Sequence, residues 1–81
     1  MEEKMKTMEI YKTRDLFEAA FLYGSHHDLI RVDQDEGERC WFVFDAECKS
    51  IALTYWQGRA TVNAKDYSDA IRTLKDIIFS H

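Results

Sequence analysis

The 81-residue chain has no proline, only three glycines and two cysteines, and it contains neither a GxSxG pattern nor a glycine-rich phosphate loop. The strained turns that present a catalytic nucleophile, and the loops whose backbone N–H groups bind phosphate, both depend on glycine. Carboxylate pairs occur only in polar stretches, where nothing separates their pKa values as acid–base catalysis requires. We therefore expect no catalytic residue and no cofactor, and we predict that the protein is not an enzyme.

Cysteine is scarce, but Cys40 and Cys48 together with His26, His27 and His81 supply the ligand types that zinc prefers. No two cysteines have the close spacing typical of zinc sites, and adjacent histidines on an extended loop point in opposite directions. Thiols in a reducing compartment usually stay unpaired. The sequence predicts two free cysteines that pack as small apolar side chains, and no metal site.

Long apolar runs and basic blocks are also missing. Lysine and arginine number 11 against 15 aspartates and glutamates, so the net charge is −4. This balance argues against general binding to a nucleic-acid backbone, whose affinity comes mainly from neutralised phosphates. No run approaches the ~20 apolar residues that cross a bilayer, and MEEKMKT lacks the apolar stretch of a secretion signal. We expect a cytoplasmic protein that binds no membrane.

Apolar periodicity outlines one domain, residues 8–81, behind a charged flexible leader, residues 1–7. Met8 to Tyr11 is expected to be extended. Helical spacing predicts one helix from Arg14 to about Tyr23 with Thr13 as its N-cap, and a second that follows Asp45. The clearest helix follows the cap residue Asn63. Its apolar arc consists of Tyr67, Ala70, Ile71, Leu74, Ile77 and Ile78.

The segments LIRV and RCWFVF flank the turn-rich DQDEGE, which predicts a β-hairpin. A three-residue turn with Gly37 in the left-handed conformation pairs Val32 with Cys40 and Arg31 with Trp41. The ATV segment, residues 60–62, is a candidate for a third short strand. Because a hairpin needs cover on at least one face, we predict an α+β domain with the order helix, strand, strand, helix, helix.

Three segments carry a resemblance that covers the chain from Tyr11 to Phe79. They are YKTRDLFEAAFLYG, RCWFVF and ATVNAKDYSDAIRTLKDIIF. Together they resemble a family of short phage and prokaryotic proteins catalogued only as a domain of unknown function. The resemblance implies no activity, cofactor or catalytic residue, but it implies a setting in which small proteins act by binding host machinery.

Strand alternation predicts where a partner binds. If Val32 and Phe42 pack under the helices, then Trp41 and Val43 lie on the opposite face, between Arg31 and Arg39. Tryptophan and arginine are the residue types that dominate binding hot spots. The alternative interpretation is that the N-terminal segment or the last helix covers Trp41, with Arg31 stacked on its ring.

The sequence therefore favours a non-enzymatic interaction module of phage or mobile-element type. We expect it to bind a host protein or a second copy of itself through Arg31, Arg39, Trp41 and Val43, and a host-defence or nucleic-acid-processing complex is one such target. The alternative is a small nucleic-acid or nucleotide-binding regulator that uses Arg31 and Arg39 with Arg59 and Lys65. Nucleic acid is the less expected partner because the chain is acidic.

Overall fold

The computed structural model describes residues 9–80, so the predicted leader, residues 1–7, lies outside the described residues. Six elements follow one another along the chain. They are strand β1 (Ile10–Thr13), helix α1 (Leu16–Gly24), strands β2 (Arg31–Gln34) and β3 (Cys40–Asp45), and helices α2 (Cys48–Trp56) and α3 (Ala64–Phe79). The predicted α+β class is confirmed, and the predicted order holds once a strand is added before α1.

The sheet has three antiparallel strands in the order β1, β3, β2. The strand β1 overlaps the predicted extended segment at Ile10 and Tyr11 and continues to Thr13, which pairs with Phe42 of β3. The predicted third strand at residues 60–62 is wrong, because this segment forms no strand and both sides of β3 are already paired. Ala60 and Val62 instead pack, partly buried, against the core.

The hairpin register differs by two residues from the predicted one, since Val32 pairs with Phe42 rather than with Cys40. The cause is the turn, in which Glu38 and not Gly37 adopts the left-handed conformation, with φ of 63°. The side chain of Asp35 holds this turn by accepting hydrogen bonds from the backbone N–H groups of Gly37 and Arg39 at 2.9 and 3.0 Å. A shift of two residues leaves every side chain on its predicted face.

Helix α1 begins later than predicted because Thr13 still belongs to β1. Asp15 is the cap residue, and its carboxylate accepts a hydrogen bond from the Glu18 N–H at 2.8 Å. At the other end, a Cβ on Gly24 would lie 3.2 Å from the backbone oxygen of Asp66. Glycine therefore allows the end of α1 to approach the start of α3 closely.

Helix α1 is the centre of the core. Residues 18–22 are all buried, and Leu22 is fully buried. The reason is that α1 packs against both other helices as well as against the sheet. The core cluster consists of Ala19, Ala20, Phe21, Leu22, Phe42, Phe44, Cys48, Ala52, Ala70 and Leu74.

The two later helices follow the prediction to different degrees. Helix α3 begins after the predicted cap Asn63, whose side chain accepts a hydrogen bond from the Asp66 N–H at 3.0 Å. Its predicted apolar arc faces the core, and its outer face carries the ion pairs of Asp69 with Lys65 and Arg72. Helix α2 starts at Cys48, because the predicted cap Asp45 is the last residue of β3.

Candidate functional site

One face of the sheet packs on the helices, and the other carries a group of charged side chains around one tryptophan. Alternation along the strands sends Phe42 and Phe44 into the core and Trp41 to the opposite side. We call this opposite surface the basic sheet face. Its members are Lys12, Arg14, Arg31, Asp33, Asp35, Arg39 and Trp41.

An ion-pair network crosses the basic sheet face from one edge strand to the other. Asp33 on β2 pairs with Arg31 at 2.8 Å and with Lys12 of β1 at 3.2 Å. The Arg31 guanidinium, followed by the Lys12 ammonium, holds the pKa of Asp33 below its usual range. Because β3 lies between β1 and β2, the pair of Lys12 with Asp33 must pass over β3.

This network explains the burial of Val43, which has no exposed surface. Lys12 and Arg31 are the direct neighbours of Val43 on the two flanking strands, and both reach Asp33 across it. The methylene stems of long cationic side chains cover apolar surface in this way. Val43 was predicted to be a binding residue, but its burial leaves it nothing to offer a partner, and that part of the predicted site is corrected.

Trp41 is half-buried and held from three sides. Its indole N–H donates a hydrogen bond to Asp35 at 3.0 Å. The Arg14 guanidinium lies 5.2 Å and the Lys12 ammonium 5.9 Å from the ring centre, which is cation–π range. The alternative in which Arg31 stacks on Trp41 is not what the structure has, because Arg31 is paired with Asp33.

Asp35 connects the hairpin turn to Trp41. Its carboxylate accepts the indole hydrogen bond and the two backbone hydrogen bonds of the turn. The indole donor, followed by the backbone N–H of Arg39, lowers the pKa of Asp35. Arg39 lies at the same end, with its Nε 3.9 Å from Asp35. The ring of Trp41 is therefore fixed in orientation by the turn that precedes β3.

The structure brings together three of the four predicted binding residues, Arg31, Arg39 and Trp41, on one face. It adds Lys12 and Arg14, which the sequence interpretation missed because it assigned Arg14 to a helix. The alternation of Lys12 with Arg14 along the strand was the signal that could have identified them. Of the residues proposed for nucleic-acid binding, Lys65 is on the outer face of α3, paired with Asp69, and Arg59 is in the loop before α3.

The opposite side of β1 contributes to a buried polar group that no sequence pattern indicated. Glu18 is 3 % exposed, and its carboxylate accepts hydrogen bonds from Tyr11, from Thr13 at 3.0 Å and from Trp56 at 2.9 Å. We call these four residues the Glu18 cluster. Burial, followed by the hydrogen bond to Glu18, raises the pKa of Tyr11 above its usual range. Within residues 9–80, Glu18 forms no ion pair.

Both cysteines are free, as the sequence predicted for the thiols, but their environments differ. Cys48 is buried, and burial together with the nearby Asp45 and Glu47 raises its pKa to about 11. Cys40 is partly exposed at the start of β3. Among the residues that the structure describes, no group of three histidine, cysteine or acidic side chains is placed to hold a metal ion.

No helix in the described part of the chain is long and apolar enough to cross a membrane. Comparisons of the chain with protein-family models, with curated proteins and with solved structures find no significant match. The resemblance to the phage and prokaryotic family consequently stays a prediction.

Proposed function

We propose that the protein is a non-enzymatic interaction module that binds an acidic partner protein through the basic sheet face. The observation that carries the proposal is the convergence of Lys12, Arg14, Arg31 and Arg39 around Trp41 in a chain whose net charge is −4. Within residues 9–80, the carboxylates that pair with these cations are Asp33 and Asp35. An acidic surface is attracted to this face and repelled by the remainder of the chain, which orients the partner.

The fixed position of Trp41 supports binding through the same face. Tryptophan and arginine are the side chains found most often at binding hot spots. Because the indole of Trp41 is already held by Asp35 and flanked by Arg14, little side-chain freedom is lost when a partner contacts it. A preorganised aromatic ring among exposed cations is therefore suited to recognition.

The setting that we propose comes from the resemblance of the sequence. A small protein of phage or mobile-element origin acts in the host cytoplasm on host components, and an inhibitor of a host-defence or nucleic-acid-processing complex is the form we propose. Proteins that imitate nucleic acid within such complexes carry acidic patches. An acidic patch is complementary in charge to the basic sheet face. Two copies of the basic sheet face repel each other, which favours a different protein as partner over a homodimer through this surface.

A charge-reversal experiment tests the proposal. Arg31→Glu/Arg39→Glu changes two cations of the basic sheet face, and Arg59→Glu/Lys75→Glu makes the same change of net charge elsewhere. We expect the control variant and the unmodified protein to capture the same proteins from host lysate, and the first variant to lose them. Equal capture by both double variants would contradict the proposal. Thermal unfolding of each variant shows whether a loss of capture is a loss of folding.

A second candidate function follows from the position of two cations over the Trp41 ring. Aromatic rings flanked by cations also bind single-stranded nucleic acid, since bases stack on the ring and phosphates pair with the cations. Fluorescence anisotropy with labelled oligothymidine separates the two functions. We expect no binding at physiological salt, whereas binding that needs Trp41 and weakens steeply with salt would replace the proposed partner by nucleic acid.

A further inference from the structure

A groove of about 540 Å³ opens where the sheet ends beside α1 and α3. Its floor is apolar and comes from three elements, with Leu16 from α1, Cys40 and Phe42 from β3, and Ile78 from α3. Leu16, Cys40 and Ile78 are only partly buried, so their surfaces are accessible from the groove. The floor can therefore hold an apolar side chain.

The rim of the groove is cationic. Arg14 and Arg39, both exposed, lie on it. Among the described residues, one acidic side chain lines the groove, that of Asp15, and it is engaged as the cap of α1 through the Glu18 N–H at 2.8 Å. A carboxylate that approaches the groove thus meets two guanidinium groups, which bind carboxylates with two parallel hydrogen bonds.

The groove and the basic sheet face form one continuous surface. Arg14 lies over the Trp41 ring at 5.2 Å and also lines the groove. Arg39 lies 3.9 Å from Asp35 on the sheet side and lines the groove as well. A ligand that spans both parts contacts the cations of the basic sheet face along its length. One end of the ligand then lies on the apolar floor of the groove.

We infer that the groove receives a large apolar side chain of an acidic segment in the partner protein, while neighbouring carboxylates of that segment pair with Arg14 and Arg39. This inference rests on the proposed function and names the chemistry of its partner. A fatty acid or another ligand with a single anionic head would use only the two arginines of the rim. Lys12 and Arg31, farther along the same face, favour a segment that carries several carboxylates.

The test uses two short fluorescent peptides rich in aspartate and glutamate. One carries leucine and phenylalanine at its centre and the other carries two serines there. We expect the unmodified protein to bind the first peptide about tenfold to hundredfold more tightly, which is the effect of burying one large apolar side chain. Ile78→Trp, which fills the groove, should abolish this difference. The matched control Leu53→Trp, at an exposed position on the outside of α2, should keep it.

Cys40 provides a second readout that does not depend on affinity differences between variants. Because Cys40 is in the floor, the apolar acidic peptide should slow its alkylation, whereas the serine peptide should not. Cys48 is buried, so in the folded protein it should not be alkylated, whether or not a peptide is present.

The failures of the two proposals are distinguishable. Equal affinity for both peptides, or a preference that survives Ile78→Trp, overturns the groove as the apolar site. Either result leaves the proposed function standing, because that function is tested by partner capture with Arg31→Glu/Arg39→Glu and not by the affinity for these peptides. Displacement of the peptides by oligothymidine, with no preference for the apolar peptide, overturns the inference in favour of a nucleic-acid ligand.

Discussion

The basic sheet face and the Glu18 cluster lie on opposite sides of the same strand, β1. The carboxylates of the first are paired with cations, whereas the carboxylate of the second is bound by neutral hydrogen-bond donors. On the outside, Asp33 is partly exposed and Asp35 is exposed, and both lie next to cations. On the inside, Glu18 is buried and satisfied by three neutral donors, with no ion pair among the described residues. Water can replace a lost partner outside but not inside, so the inner cluster contributes stability and the outer face is free to serve recognition.

The largest expected effect is therefore at the centre of the Glu18 cluster. Glu18→Ala leaves the hydroxyls of Thr13 and Tyr11, which are buried and partly buried, without their acceptor, and a buried donor without a partner costs about 1–3 kcal/mol. Trp56 is exposed, so water can replace its lost partner. We expect the free energy of unfolding, measured with urea, to fall by about 2–6 kcal/mol. Glu18→Gln keeps an acceptor oxygen and should lose less.

The matched control for this prediction is an exposed carboxylate of α3. Asp69→Ala removes the partner of Lys65 and Arg72, both of which remain in contact with water. We expect it to change the free energy of unfolding far less than Glu18→Ala does. Similar losses for the two variants would remove the distinction between the inner and the outer carboxylates.

A medium effect is expected at Val43, which lies on the outer side of the sheet but is buried under the ion pairs. Val43→Ala removes about two buried methylene equivalents and should lower the free energy of unfolding by roughly 1.5–3 kcal/mol. Partner capture by the folded protein should persist, because Val43 has no exposed surface. Loss of capture without loss of stability would restore Val43 to the binding site.

The smallest effect is a pH transition at Trp41. The pKa of Asp35 is lowered in the folded protein, so its interactions are complete above the ordinary aspartate value of 3.8 and are lost as the pH falls through the lowered value. The NMR signal of the Trp41 indole N–H should therefore stay constant down to about pH 4 and shift only below it. Asp35→Asn should remove this transition, and a transition above pH 4 would show that Asp35 does not control the indole.

Much of the outer site was predictable because alternation along β3 depends on local backbone geometry alone. Trp41, Arg31 and Arg39 were assigned to one face from the pattern, and the two-residue error in register did not move them to the other face. Lys12 and Arg14 alternate along the chain, but nothing local shows that residues 10–13 pair with β3, and the helical pattern included Arg14. The Glu18 cluster was missed for the same reason, because Trp56 lies 38 residues from Glu18 in sequence.

Local sequence determined the α+β class, the hairpin and the strongly amphipathic α3 with its Asn63 cap, since each depends on the spacing of side chains a few residues apart. Tertiary structure alone decided that β1 completes the sheet, that α1 is buried at Glu18 as well as at its apolar residues, and that ion pairs from both edge strands close over Val43. Such outcomes depend on which distant segments meet, and a pattern of exposed and buried positions along one segment contains no information about what covers it.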